Sequence, residues 1–181
     1  DTSDWDGVIP VRVNQITHLW IGQGMYKENW NGPDDLSFTW RAAWKDNRLY
    51  ILYVVTDNQI SPFDHPETWL NDCIEICIDP ELTHGVRKSN INGTTKLAGY
   101  ETHFLPMQPP HAFLHDENLI YNIAKPQDDD FRTLWNGEMA VSYTKTGYIF
   151  ELAFSIPGKS LKKNSIIGFE TAVCDDDGNS R

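Results

Sequence analysis

No apolar run in the 181-residue chain approaches the ~20 residues that a membrane-spanning helix needs. Basic residues are scarce: 15 Lys and Arg stand against 26 Asp and Glu, a net charge of −11 at pH 7. A surface that acidic repels phosphate backbones, which argues against nucleic acid and anionic membranes as partners. The same charge suits hard cations, Ca²⁺ above all, because they take carboxylate oxygens. Cysteine is sparse and odd in number, at three. Cys73 and Cys77 lie on one predicted strand, about 13 Å apart, too far to bridge each other. Cys174 bonds one of them only if its strand is a neighbour. No Cys/His pair has zinc spacing, which argues against a zinc site, and buried free thiols are expected. There is no internal repeat, no low-complexity linker and no strongly periodic helix. The chain starts with Asp and carries no leader-like stretch, so it reads as mature or trimmed, with any targeting segment out of view.

What the sequence does have is aromatic residues, 12 % of the total with seven Trp, and short alternating runs. The length favours one domain, residues 1–181, with a two-layer core. Val8 to Val13 reads as an edge strand. Leu36 to Trp44 alternates, with Phe38, Trp40, Ala42 and Trp44 on one face, and Trp40 and Trp44 read as core. Lys45 to Arg48 is a tight turn, and Leu49 to Thr56 returns as a central strand. A second hairpin joins Met139–Thr144 to Tyr148–Ile156 across Lys145-Thr-Gly147. Gln127 to Asp130 reads as an acidic turn, Ser160 to Asn164 as one helical turn, and Ser165 to Cys174 as the last strand. Nine or so short strands without a strong helix predict an all-β fold, an antiparallel two-sheet β-sandwich of immunoglobulin-like or jelly-roll-like form.

The most telling stretch is Trp69-Leu-Asn-Asp-Cys-Ile-Glu-Ile-Cys-Ile-Asp79. Its period of two puts Asp72, Ile74, Ile76 and Ile78 on one face and Asn71, Cys73, Glu75, Cys77 and Asp79 on the other. The β-branched isoleucines suit a packed face. The opposite face carries the carboxylate of Glu75 among small residues, beside the large ring of Trp69. That pairing grips sugars: a pyranose offers C–H patches to a ring and hydroxyls to acids and amides. The plainer reading is a core strand with a solvated outer face. By parity Glu151 and Glu170 share the facing of Glu75, which would make the face acidic. Trp5, Trp20, Trp30 and Trp135 sit near turns and could line a surface.

Several pieces occur in an order that resembles the family 9 carbohydrate-binding modules and their wider DOMON-type relatives. They are Arg41-Ala-Ala-Trp-Lys-Asp-Asn-Arg-Leu-Tyr-Ile-Leu52, Val55-Thr-Asp57, the Trp69 to Asp79 stretch, Tyr148 to Pro157 and Ile167 to Asp175. The Trp69 stretch is the most specific, and the likeness runs from about Leu36 to Arg181. The resemblance implies a non-catalytic module that binds an oligo- or polysaccharide. It also implies a host enzyme that is secreted or extracytoplasmic and degrades glycans, tethered in cis. It places the stacking ring at Trp69 and the strand carboxylate at Glu75. A family arginine falls at His103, which either donates to a hydroxyl or serves as a satisfied structural histidine; a family glutamine falls at Ala172. A second clamping Trp and a closing strand would lie past Arg181. The candidate sugar contacts are Trp69, Asn71, Glu75, His103 and Glu170. Asp57, Asp72 and Asp175 match family acids, to hold a structural Ca²⁺ or to close strand ends on backbone N–H groups. Asp175-Asp-Asp-Gly-Asn179 has the look of a calcium loop but fails the EF-hand spacing, and a turn is the plainer account.

Two other functions stay open on sequence alone. Some DOMON relatives carry haem between the sheets, which here would need Met107 or Met25 with a histidine. A glycosidase would use the acids near Glu75, Asp79 and Glu81, with Glu75 and Glu170 as a pair only if their strands adjoin. Asn92-Gly93-Thr94 fits a glycosylation sequon.

Overall fold

Alternation builds the core from two sides. The structure is a computed structural model and describes residues 2–18, 30–80, 82, 88–89, 95–96, 100–114 and 128–177. Strand β1 (Val11–Val13) pairs with β2 (Leu36–Lys45), which pairs with β3 (Arg48–Asp57). Strand β4 is Cys73–Asp79, and β5 (Lys88–Ser89) and β6 (Thr95–Lys96) form a small separate ladder. Then come β7 (Tyr100–Leu105), β8 (His111–Leu114), helix α1 (Asp128–Leu134), β9 (Glu138–Tyr143), β10 (Gly147–Phe154) and β11 (Gly168–Cys174). One antiparallel sheet has the order β1-β2-β3-β10-β9 and the other β11-β4-β7-β8, so the expected all-β sandwich is what forms.

The first sheet turns Ile51, Tyr53, Val55, Tyr148, Phe150, Leu152 and Phe154 inward. The second answers with Ile74, Ile76, Ile78 and Phe104. Each buried aliphatic side chain contributes about 1.5–3 kcal/mol by leaving water. A polar bridge crosses this core. The Thr171 hydroxyl donates to the Glu75 carbonyl at 2.8 Å, so its oxygen accepts the Tyr53 hydroxyl at 2.8 Å. Burial pushes the Tyr53 phenol well up, so it remains a donor.

Two hairpins form where expected. Lys45 pairs with Arg48, leaving Asp46 and Asn47 as the turn with φ of 51° and 65°. Both positive angles match the primed turn that suits right-twisted strands. The second hairpin returns through Gly147, whose φ is 142°.

Three expectations are corrected. The acidic turn at Asp128–Asp130 is the first turn of α1, where carboxylates favour the positive helix end. Phe131 and Trp135 then reach into the core, Phe131 at 5.2 Å from Phe104 and Trp135 at 5.5 Å from Phe154. Residues 160–164 form no helical turn, because Asn164 takes a positive φ of 71° that breaks the spiral. Trp40 packs on Phe169 at 5.2 Å, but Trp44 is 50 % exposed. Strand β1 pairs only as far as Trp40, so the rest of β2 has a ladder on one side alone.

At Gly147 an added Cβ would lie 2.1 Å from the Val55 carbonyl oxygen, a clash with backbone rather than with a side chain that can swing away. Gly147→Ala is therefore expected to cost about 2 kcal/mol or more. Urea unfolding checks this through a lower midpoint at unchanged slope.

Candidate functional site

The outer face of the β11-β4-β7-β8 sheet gathers the polar side chains that β4 and β7 turn away from the core. Register sets Ala172, Glu75, His103 and Phe113 side by side in one row, and Glu170, Cys77 and Glu101 in the next. Glu75 and Glu101 are 26 % and 30 % exposed, while His103 between them is 1 % exposed. The imidazole Nε2 lies 3.3 Å from Glu101 Oε1 and 3.5 Å from Glu75 Oε1. Carboxylates only accept, so Nε2 carries the proton and Nδ1 accepts the Thr68 hydroxyl at 2.6 Å. The histidine is thus buried, bonded to Thr68 and Glu101 with the Glu75 carboxylate beside it, and does not itself reach solvent.

Thr68 belongs to a single 3-10 turn, Thr68–Leu70, that packs against β4 and β7. Trp69 rides on this turn. Its ring is half-buried and meets His103 edge-on, with centroids 6.5 Å apart at 79°. The turn is held by Asn71. Its Oδ1 accepts the Asp64 and His65 N–H groups at 2.7 and 2.8 Å, and its Nδ2 donates to the Glu67 and His65 carbonyls at 2.7 and 3.1 Å. Asn71 is wholly buried and its side chain is spent on the loop, so the expected sugar contact is corrected to a strut.

A second cluster lies where three strand ends meet. Asp57 closes β3, Asp72 precedes β4 and Asp175 follows β11, and they can offer carboxylate oxygens all within 4.8 Å of one another. Asp35 and Asp177 form a second such group with Asp175. The Asp72 carboxylate accepts the Ser61 N–H and, at 2.7 Å, the Asp176 N–H. Burial, with the Asp57 charge next, pushes Asp72 up to about 8. Burial likewise raises Asp57 to about 6, against the lowering effect of the Gln59 N–H. Buried acids that disfavour one another's charge are a donor set of hard oxygens, and it fits a cation bound at the 2.3–2.6 Å of Ca²⁺–oxygen bonds.

The family described as "Carbohydrate family 9 binding domain-like" matches residues 6–102, more than half of the chain. The chain belongs to that family. Two solved structures of a family 9 module from Caldicellulosiruptor kristjanssonii share its fold. The one in complex with cellotriose has a TM-score of 0.60 and 17 % identity over 97 % of this chain and 70 % of that one. The one in complex with glucose has a TM-score of 0.58 and 17 % identity over 97 % and 72 %. No curated protein matches the chain.

Other parts of this family 9 chain fall differently from the sequence reading. Glu170 is exposed on the outer face as parity predicts, on the strand next to β4, but it stands opposite Cys77 and Ala172 stands opposite Glu75. Glu101 was missed, although it lies two residues before His103 and so shares its face. Burial, then the charges of Glu101, Glu170 and Glu75, push the Cys77 thiol up to about 12, a measure of how acidic this face is. Glu151 is corrected to the other sheet, where it accepts the Trp5 indole N–H at 3.1 Å. Trp5 and Trp135 are buried, and Trp30 is half-buried and donates to the Leu36 carbonyl at 2.8 Å. Met107 packs with Cys73, Leu105 and Phe113, a cluster apart from the core between the sheets where a haem ligand would sit. Trp20, Met25, Glu81 and the sequon at Asn92 lie outside the described residues.

The strut role of Asn71 is testable. Asn71→Ala should lower stability by about 2–3 kcal/mol, the scale for losing a buried hydrogen-bond network. Limited proteolysis should then cut within residues 64–70 well before the rest of the chain.

Proposed function

We propose that this chain is a non-catalytic glycan-binding module. A sugar ring lies against the open part of Trp69, and its hydroxyls donate to Glu75 and Glu101, with Glu170 at the edge of the same face. The observation that carries this reading is the half-buried indole that meets a buried imidazole edge-on, with two partly exposed carboxylates flanking that imidazole. The solved family 9 module in complex with cellotriose and glucose points to glucose and its β-linked oligomers as the first ligands to test. Such a module, in a secreted protein that degrades polysaccharide, works by proximity: it raises the local concentration of a tethered catalytic domain on its substrate. We assign Asp57, Asp72 and Asp175 to a structural Ca²⁺. The ion would offset their mutual repulsion, and they would tie the ends of β3, β4 and β11 together through it.

Calorimetry against glucose, cellobiose and cellotriose tests the sugar site. Trp69→Ala should weaken binding at least about tenfold, near 1.4 kcal/mol. Glu75→Gln should weaken it by a similar factor, since a hydrogen bond to a charged acceptor contributes about 1.5–3 kcal/mol. A folded protein that binds no glycan at all sinks the reading.

The cation has its own signature. Asp72 and Asp57 are raised in the fold, so without metal each ionises freely in the unfolded chain while the fold resists it. Stability is then fullest below about pH 4 as far as these groups go, and is lost as pH rises through about 6 and about 8. Chelated protein should therefore melt lower at pH 8 than at pH 5, and added Ca²⁺ should raise the midpoint most at pH 8. Thermal unfolding with and without chelator at both pH values decides it.

A further inference from the structure

Cys73 and Cys174 are a hundred residues apart in sequence, yet they stand directly opposite each other on β4 and β11. Their sulfurs lie within 4.8 Å of each other, and both thiols are free. Cys174 Sγ also lies 3.4 Å from Glu75 Oε1. The two sulfurs and a Glu75 oxygen all fall within 4.8 Å of one another. We propose that Cys73, Cys174 and Glu75 form a site for a soft divalent cation of the zinc kind, on the outer face of the sheet beside the sugar contacts.

The geometry and the donor types support this together. Zinc bound to sulfur at about 2.3 Å and to oxygen at about 2.1 Å holds its donors about 3.6–3.8 Å apart. The cluster therefore has to close by about 1 Å at most. Two sulfurs among three donors select against Ca²⁺ and Mg²⁺, which take oxygen. His103 Nε2, which bonds Glu101 at 3.3 Å, lies 3.5 Å from Glu75 Oε1 and so places an N–H edge beside the carboxylate that would ligate. Glu75 is partly exposed, so the fourth position opens toward solvent and takes water. Cys73 is fully buried, so the ion enters from the side of Cys174 and Glu75. Binding is a ligand exchange with no redox step: each thiol gives up one proton to the buffer and the cation loses part of its water shell. Because Glu75 also serves the proposed sugar contact, metal and glycan compete for one carboxylate. That coupling rests on the glycan reading; the metal site does not.

The test is Co²⁺ titration of the reduced, metal-stripped protein in excess Ca²⁺, which saturates the aspartate cluster with a hard ion. One equivalent should give a near-ultraviolet thiolate-to-cobalt charge-transfer band and intense tetrahedral visible bands, and Zn²⁺ should bleach both. Cys174→Ser, checked as folded by circular dichroism, should lose the charge-transfer band. Cys77→Ser should keep it, and Glu75→Gln should weaken binding at least tenfold. The proposal is overturned by a folded protein with three titratable thiols and no charge-transfer band, or by a band that survives Cys174→Ser. It is equally overturned if Cys73 and Cys174 close to a disulfide in preference to taking metal, read as two thiols lost in air with Zn²⁺ present. Glycan binding measured in chelator is a separate arm, so its loss would count against the sugar site and leave the metal result standing.

Discussion

Strand β4 works on both of its faces, and that constraint organises the molecule. Ile74, Ile76 and Ile78 must meet the first sheet, which fixes the rotation of the strand. Once they do, Cys73, Glu75 and Cys77 can only point outward. A slip of one residue would exchange hydrocarbon for carboxylate in the core, a cost no surface contact could offset. The Tyr53–Thr171 bridge pins the backbone of Glu75 from beneath, so the carboxylate above it starts from a fixed root.

Above the strand, the outer face is positioned by side chains that are themselves buried. His103 is committed on both nitrogens, and Asn71 spends its amide on four backbone groups. Together they settle where Trp69 and the two acids stand before anything arrives. Ordering that is done during folding need not be done during association, which is where rigid sites gain affinity. The acidic cluster does the same on a larger scale, since Asp57, Asp72 and Asp175 come from strand ends far apart in sequence.

The two-sheet architecture and both hairpins were legible in the sequence because apolar patterning is a local signal: alternation at Phe38–Trp40, Ile74–Ile78 and Tyr148–Phe154, and an unbroken apolar run at Ile51–Val55. The grouping of Asp57, Asp72 and Asp175 came from the family resemblance, and geometry now places those acids together. What escaped was set by tertiary neighbours. Trp44 obeys the same parity as Trp40, but pairing with β1 stops at Trp40. Trp135 is core only because α1 turns it inward, and α1 itself hid in a run of three aspartates. Glu151 has the right parity on the wrong sheet, since parity names a face and not the layer it belongs to. Asn71 looked outward on a strand it does not join, because β4 begins two residues later at Cys73.

The other broad side of the sandwich is partly covered. Leu52 faces outward there between Arg41 and Glu151, yet it is fully buried. Trp5 latches onto Glu151, and Arg41 Nε donates to the Val8 carbonyl at 3.2 Å, so the leading segment upholsters that surface with its own atoms. The two sides are therefore unlike, as heads and tails of a coin are. Anything that meets the outer face of β4 and β7 therefore leaves this covered back turned to the bulk fluid.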